Sequence, residues 1–250
     1  MLNEFDILKK HIFDNIELCQ KNKTPKFIGF LSEEEQGLAK GCLSKKINYS
    51  FYSGYTGGER AMLGIFANES DIDFKKFPIK AVSFSLDKTK DITHRDVLGS
   101  VMGLGIKRSA VGDIIINKTE NKVYIILVLS VFNMVISELK YIKRNRITLN
   151  EENLADIPEK TDNFEELRFT VSSLRIDSVV SAVCGCSRSA SLEFIKSGLV
   201  FINGIEVNKC TKSVFDNDKI TVRKKAKFIV KSTNGYTKKG KVILICLKYI

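Results

Sequence analysis

Apolar residues recur at helical spacing from the start of the chain. EFDILKKHIFDNIELCQ predicts an amphipathic helix that ends before Pro25. Ser32 and Glu35 form a capping-box pattern that opens a second helix, whose Leu38, Ala39, Cys42 and Leu43 share a face suited to packing on the first. INYSFYSGYTGGERAMLGIF then reads as strand, glycine-rich loop and strand, with loop 54–60 serving as a tight connection that ends in a Glu59–Arg60 ion-pair candidate. After Pro78 the pattern becomes β-α-β-β-α-β. AVSFSLD is a strand, and THRDVLGSVMGLG is a helix begun by Thr93 with Asp96 at its third position. DIIIN and KVYIILV are strands, SVFNMVISEL is a helix, and RNRITL is the closing strand. An acidic stretch around Pro158 leads to LRIDSVVSAV, a short helix, and to RSASLEFIKSG, a helix capped by Ser187 and ended by Gly198. LVFINGIEV predicts a hairpin about the type I′ pair Asn203-Gly204, followed by strands KITVRK, KFIVKS and KVILICLKYI.

The fold class is therefore α+β, in three modules: a small N-terminal α/β module (1–78), a central ferredoxin-like, RRM-like βαββαβ domain (79–155) and a basic C-terminal domain (171–250). In an RRM, aromatic residues on the third strand stack RNA bases. Here that strand offers only Tyr124 among aliphatics, so the residues give no support to RNA binding on the sheet face.

Charge changes this picture most. Of the net charge of +11, residues 171–250 hold +10, from fifteen Lys/Arg against five Asp/Glu. A folded basic module on a near-neutral body suggests a nucleic-acid grip. The longest apolar stretch, 123–136, is fourteen residues and interrupted by Ser130 and Asn133, too short for a membrane span. Six cysteines contain one C-x-C, Cys184 and Cys186, with no second nearby pair and only two histidines, which suggests reduced thiols in a cytoplasmic protein and no metal site. No P-loop ending follows the glycine-rich loop, and Gly103-x-Gly105 runs on to Arg108 where a dinucleotide fingerprint needs glycine. A nucleotide cofactor is not expected.

The expected RNA-binding set centres on Arg188 in the first turn of its helix, where free backbone N–H groups and the helix dipole favour an anion. Ser187 adds a hydroxyl, Arg175 can reach the same site, and Asp177 can orient that arginine. Lys196 extends the positive track. Arg223, Lys224, Lys225 and Lys227, with Lys238, Lys239 and Lys241, supply phosphate contacts from loops beside the strands. His94, Arg95, Lys107 and Arg108 form a possible secondary RNA contact, His94 being read as structural rather than catalytic.

Arg175-Ile176-Asp177, Ser187-Arg188, residues 195–200, Asn203-Gly204 and Asp218 resemble the S4-type RNA-binding domain. GYTGGERAMLGIF, THRDVLGSVMGLGIKRSAVGDI and GYTKKGK extend the likeness over most of the chain, which is similar to the bacterial YlmH family. That resemblance implies a non-enzymatic, ribosome-associated RNA-binding protein of the cytoplasm, acting on the large subunit in rescue of stalled nascent chains, with rRNA or tRNA as partner and a further link to cell division. It carries the RNA-contacting role of the helix pair onto Arg175, Ser187, Arg188 and Lys196. Ile176 stands where leucine is common in the S4-type domain, and Lys225 and Lys241 stand where many family members have arginine, which loses bidentate geometry. The alternative is an RNA-modifying enzyme of pseudouridine synthase or methyltransferase type that docks through this domain, although neither signature is visible in residues 1–170. A membrane-surface scaffold lacks the basic amphipathic helix it would need. The sequence leaves oligomeric state open.

Overall fold

The computed structural model describes residues 4–44, 46–86, 92–159, 164–233, 235–238 and 240–249. The chain divides into two compact units, 1–160 and 161–250. Helix and strand are both well represented, as an α+β chain requires.

In the first unit, α1 (Glu4–Asn22) and α2 (Glu33–Cys42) lie beside an antiparallel sheet of β1 (Lys26–Leu31), β2 (Asn48–Tyr52) and β3 (Ala61–Phe66), ordered β1-β3-β2. The capping box of α2 is complete, with Ser32 Oγ accepting from Glu35 N and the Glu35 carboxylate accepting from Ser32 N. Ile12, Cys19 and Ala39 of the helices pack with Ile28, Leu63 and Ile65 of the sheet. The other face of the sheet sends Phe30, Met62 and Phe66 into a core shared with Ile79, Ala81, Tyr124 and Ile126. The last four belong to a second antiparallel sheet, built from β4 (Ile79–Ser85), β5 (Val111–Asn117), β6 (Lys122–Val128) and a short fourth strand. Its far face, with Val82, Phe84, Val123, Ile125 and Leu127, is covered by Val97 and Val101 of α3 (His94–Met102) and Phe132 and Val135 of α4 (Leu129–Glu138). Alternate residues of each strand thus serve opposite cores, as a period of two dictates. The result is four layers, helix–sheet–sheet–helix.

The strand expected at RNRITL is not continuous. Its Asn145–Arg146 instead form β8, which pairs in a small hairpin with the preceding β7 (Tyr141–Ile142). The fourth strand, β9 (Asn150–Glu152), pairs with β4 to give the order β5-β6-β4-β9. Apolar alternation cannot find β9, because polar contacts hold it: Ser83 donates to Glu152 Oε1 at 2.5 Å, and Lys122 Nζ lies 2.6 Å from the same oxygen.

The glycine-rich loop between β2 and β3 is fastened to β5. Asp113 accepts from Tyr55 OH at 3.0 Å, Glu59 N at 2.7 Å and Arg60 N at 3.3 Å. The Arg60 guanidinium donates to the carbonyls of Phe30 at 2.5 Å and Val111 at 3.2 Å, so it ties β1 to β5 in addition to closing its own loop. Burial lowers the Arg60 pKa, with Glu35 and Asp113 opposing that effect. Gly29 is required nearby, because a Cβ there would stand 2.4 Å from the Ser109 carbonyl oxygen. Asp113→Ala removes the acceptor shared by three donors and is expected to cost the first unit about 2 kcal/mol. Urea denaturation of the full chain measures this, and an unshifted midpoint would show that the loop stands without its clamp.

The second unit is one six-stranded antiparallel sheet with a helix pair. It comprises β10 (Phe164–Val171), α5 (Ile176–Val183), α6 (Arg188–Lys196), β11 (Val200–Ile202), β12 (Ile205–Glu206), β13 (Lys219–Val222), β14 (Ala226–Ser232) and β15 (Val242–Tyr249). Strand order is β10-β15-β14-β13-β11-β12. Asn203 and Gly204 at the β11–β12 turn have φ of 52° and 77°, the left-handed pair a type I′ turn needs. β10 begins inside the acidic stretch that precedes the basic module. It pairs with β15 over eight residues, from Phe164↔Tyr249 to Val171↔Val242. Ile176, Val179 and Val180 of α5 and Ile195 of α6 pack with Phe228, Val230, Leu244 and Cys246 of the sheet. Burial pushes the Cys246 thiol up to about 12, so it stays protonated at neutral pH.

Candidate nucleic-acid interface

The helix pair of the second unit is organised around one buried carboxylate. Arg175 is the N-cap of α5, and its backbone is held by an antiparallel bridge to Ser213 and by the bond from Ile176 N to Lys212 O at 2.9 Å. Asp177 follows in the first turn, with its side chain only 2% exposed. It takes a bidentate grip from Arg175, Nε to Oδ1 and Nη2 to Oδ2, both 3.1 Å, and a third bond from Arg188 Nε to Oδ2 at 3.1 Å. Burial works to raise the Asp177 pKa. The hydrogen bonds and charges of the two guanidiniums outweigh it and hold the carboxyl below its ordinary value. Arg175 and Arg188 keep 40% and 53% of their side-chain surface exposed. Asp177 is thus turned inward and the two cations remain open to solvent.

Arg188 opens α6, where the Ser187 hydroxyl accepts from Ala190 N at 3.1 Å. The Ser191 hydroxyl lies 2.8 Å from the carbonyl oxygens of both Asp177 and Arg188 and stitches α6 to α5. Two guanidiniums held by one carboxylate, one of them in the first turn of a nine-residue helix, present planar donors of the kind that suit phosphate oxygens. Sequence spacing suggested that Asp177 orients Arg175. Its hold on Arg188, eleven residues on, has no local signal.

The remaining cations divide into two kinds. Lys196 at the end of α6 and Lys224, Lys238 and Lys241 on loops are exposed. Lys224 turns the β13–β14 hairpin at φ 61°. Arg223 and Lys225, exposed as well, and half-buried Lys227 also meet aromatic faces: Arg223 lies over the Phe201 ring at 4.7 Å, Lys225 over Phe194 at 6.0 Å and Lys227 over Tyr249 at 4.9 Å. Lys239 falls outside the described residues. Two exposed rings escaped the sequence reading: Phe215 and Tyr236, 65% and 75% exposed. They flank a junction in which Asp216 accepts from Thr233 N and Oγ1 at 2.8 and 2.7 Å.

In the first unit, His94, Arg95 and Lys107 are exposed around α3. Arg108 is turned inward, donating to the carbonyls of Val111 and Gly112, and burial with the neighbouring Arg60 lowers its pKa to about 10. Tyr124, the one aromatic on the third strand, is buried and donates to Glu120 Oε2 at 2.6 Å. Among the described residues no three His, Cys, Asp or Glu side chains gather to hold a metal ion, and no helix is long and apolar enough to cross a membrane.

Residues 71–156 match a family model described as "Putative RNA-binding domain in YlmH". Over 230 residues the chain is 28% identical to "Ribosome-associated protein quality control protein P2" of Bacillus subtilis (strain 168), a match covering 90% of this chain and 87% of that protein. A solved structure, "Cell division protein ylmH from Streptococcus pneumoniae", shares the fold at TM-score 0.51 and 20% identity, covering 61% of this chain and 93% of that one.

Proposed function

We propose that this chain, which is similar to proteins of the YlmH family, has a non-catalytic, ribosome-associated role: it binds structured RNA through the Asp177-centred arginine pair. The coarser part of this reading, RNA binding beside the ribosome, has support from the family model and from the name of the Bacillus relative. Beyond that, we infer the following. The second unit is read as an S4-type domain and the β4–β9 sheet with its two helices as ferredoxin-like. The RNA is read as large-subunit rRNA with tRNA beside it, and the occasion as rescue of stalled nascent chains in the bacterial cytoplasm.

One observation carries the reading. A nearly inaccessible carboxylate holds two half-exposed guanidiniums at the mouth of α6, which leaves both cations aimed and open to a phosphate. Lysines on α6 and on the strand loops continue the charge, so recognition is of backbone and shape rather than of base sequence. If about six phosphates are engaged, log K should fall against log salt with a slope of roughly −4 to −5. Co-sedimentation of the full chain with large ribosomal subunits across a salt series tests this. Binding that ignores salt, or no binding in dilute buffer, would overturn the proposal.

A further inference from the structure

RNA-binding domains built on a four-stranded sheet of this kind stack bases on the open sheet face. In this chain that face is closed, since Ile79, Ala81, Tyr124 and Ile126 are packed against Phe30, Met62 and Phe66 of the neighbouring sheet. RNA bound by residues 71–156 must therefore meet another surface.

The β7–β8 hairpin offers one. From 139 to 149 the chain reads LKYIKRNRITL, with Lys140, Lys143, Arg144 and Arg146 and no acid. The hairpin is firmly rooted, because Leu139, Ile142 and Ile147 are buried in the core beneath α3 and α4. Tyr141 pairs with Arg146 across the two strands, so ring and guanidinium project from one face, opposite to buried Ile142, and Tyr141 is 57% exposed. Lys143 turns the hairpin at φ 53°, and its Nζ lies 2.7 Å from Asp96, the residue that closes the capping box of α3. This fastens the hairpin tip to the first turn of α3, next to exposed Arg95. Arg144 and Arg146 are exposed and have no ion pair among the described residues. Lys143 is held by Asp96, which leaves Lys140, Arg144 and Arg146 with an outward tyrosine on a rigid stub, a set of groups suited to phosphates and a base.

We propose that this hairpin is a second RNA-contact site, with Lys140, Arg144 and Arg146 on phosphates and Tyr141 stacking on an unpaired base. The inference rests on the RNA-binding reading above and locates a surface that the reading left open.

The test uses the full chain and protein-free large-subunit ribosomal RNA, with affinity measured over a salt series. The triple variant Lys140→Gln, Arg144→Gln, Arg146→Gln should bind about tenfold more weakly at low salt, with a log–log salt slope shallower by about 2 to 3. Tyr141→Ala should weaken binding several-fold at unchanged slope, and Tyr141→Phe should restore it. A control triple, Lys75→Gln, Lys76→Gln, Lys118→Gln, removes equal charge from exposed positions elsewhere in the first unit. An equal loss in that control would reduce the effect to net charge and overturn the proposal. An unaffected hairpin variant beside a weakened Arg188→Glu variant would overturn it and leave the proposed function standing. Full binding by both would overturn the two together.

Discussion

Arg188→Glu should weaken binding to large ribosomal subunits about 100-fold in low salt. Reversal removes a guanidinium from the phosphate site and places a carboxylate at the same helix mouth. Together these effects are worth about 2–3 kcal/mol, at 1.4 kcal/mol per decade. The chain should remain folded, because Asp177 keeps the bidentate bonds from Arg175 and α6 keeps its Ser187 cap. Arg188→Gln separates charge from repulsion and should cost about tenfold. The salt slope provides the check: losing one phosphate contact makes it shallower by roughly 0.7 to 0.9. A folded Arg188→Glu variant with wild-type affinity and slope would remove this arginine from the interface.

Asp177→Ala is expected to damage both folding and binding. The carboxylate is almost wholly buried and satisfies three N–H donors from two guanidiniums. Removing one partner of a buried ion pair can cost 3–5 kcal/mol. Here both arginines are about half exposed and can turn to water, so a loss of about 2 kcal/mol from the second unit is the better figure. Binding should also fall, because the guanidiniums lose the atom that aims them. The pH dependence has a definite sign. A carboxyl whose folded pKa lies below its unfolded value stabilises fully above the unfolded value and loses that stabilisation as pH falls through the folded one. Urea denaturation at pH 7 should therefore separate wild type from Asp177→Ala, and the gap should narrow as the pH is taken below 4. A gap that persists unchanged in acid would mean the carboxylate's charge is not what stabilises the unit.

Local chemistry made much of the chain legible. The caps at Ser32, Thr93 and Ser187 each begin a helix where a short polar side chain can reach the third residue's N–H. The Asn203-Gly204 turn follows from the backbone angles those two residues tolerate. What stayed hidden depends on distant partners. β10 looks like an acidic linker until β15 lies beside it, and β9 is a strand because Ser83 and Lys122 reach Glu152. At the interface, charge and spacing exposed Arg175, Asp177 and Arg188 as a group. They could not show that Asp177 serves both arginines, that Arg223, Lys225 and Lys227 meet aromatic rings, or that Arg108 faces inward. Those outcomes depend on which side of an element meets the core, and that is settled only when the layers assemble.

The pairing of β10 with β15 has a bearing on how this protein is made. β15 sits between β10 and β14, and its nearest partner in β10 is Val171, opposite Val242. A ribosome translating the message has therefore finished both arginines and their carboxylate well before it supplies the strand that frames them. Closing so long a segment is a slow, late event in folding. A half-synthesised copy consequently carries both arginines and their carboxylate before the strands on which their helices pack, so the arginine pair is assembled only once β15 has been made.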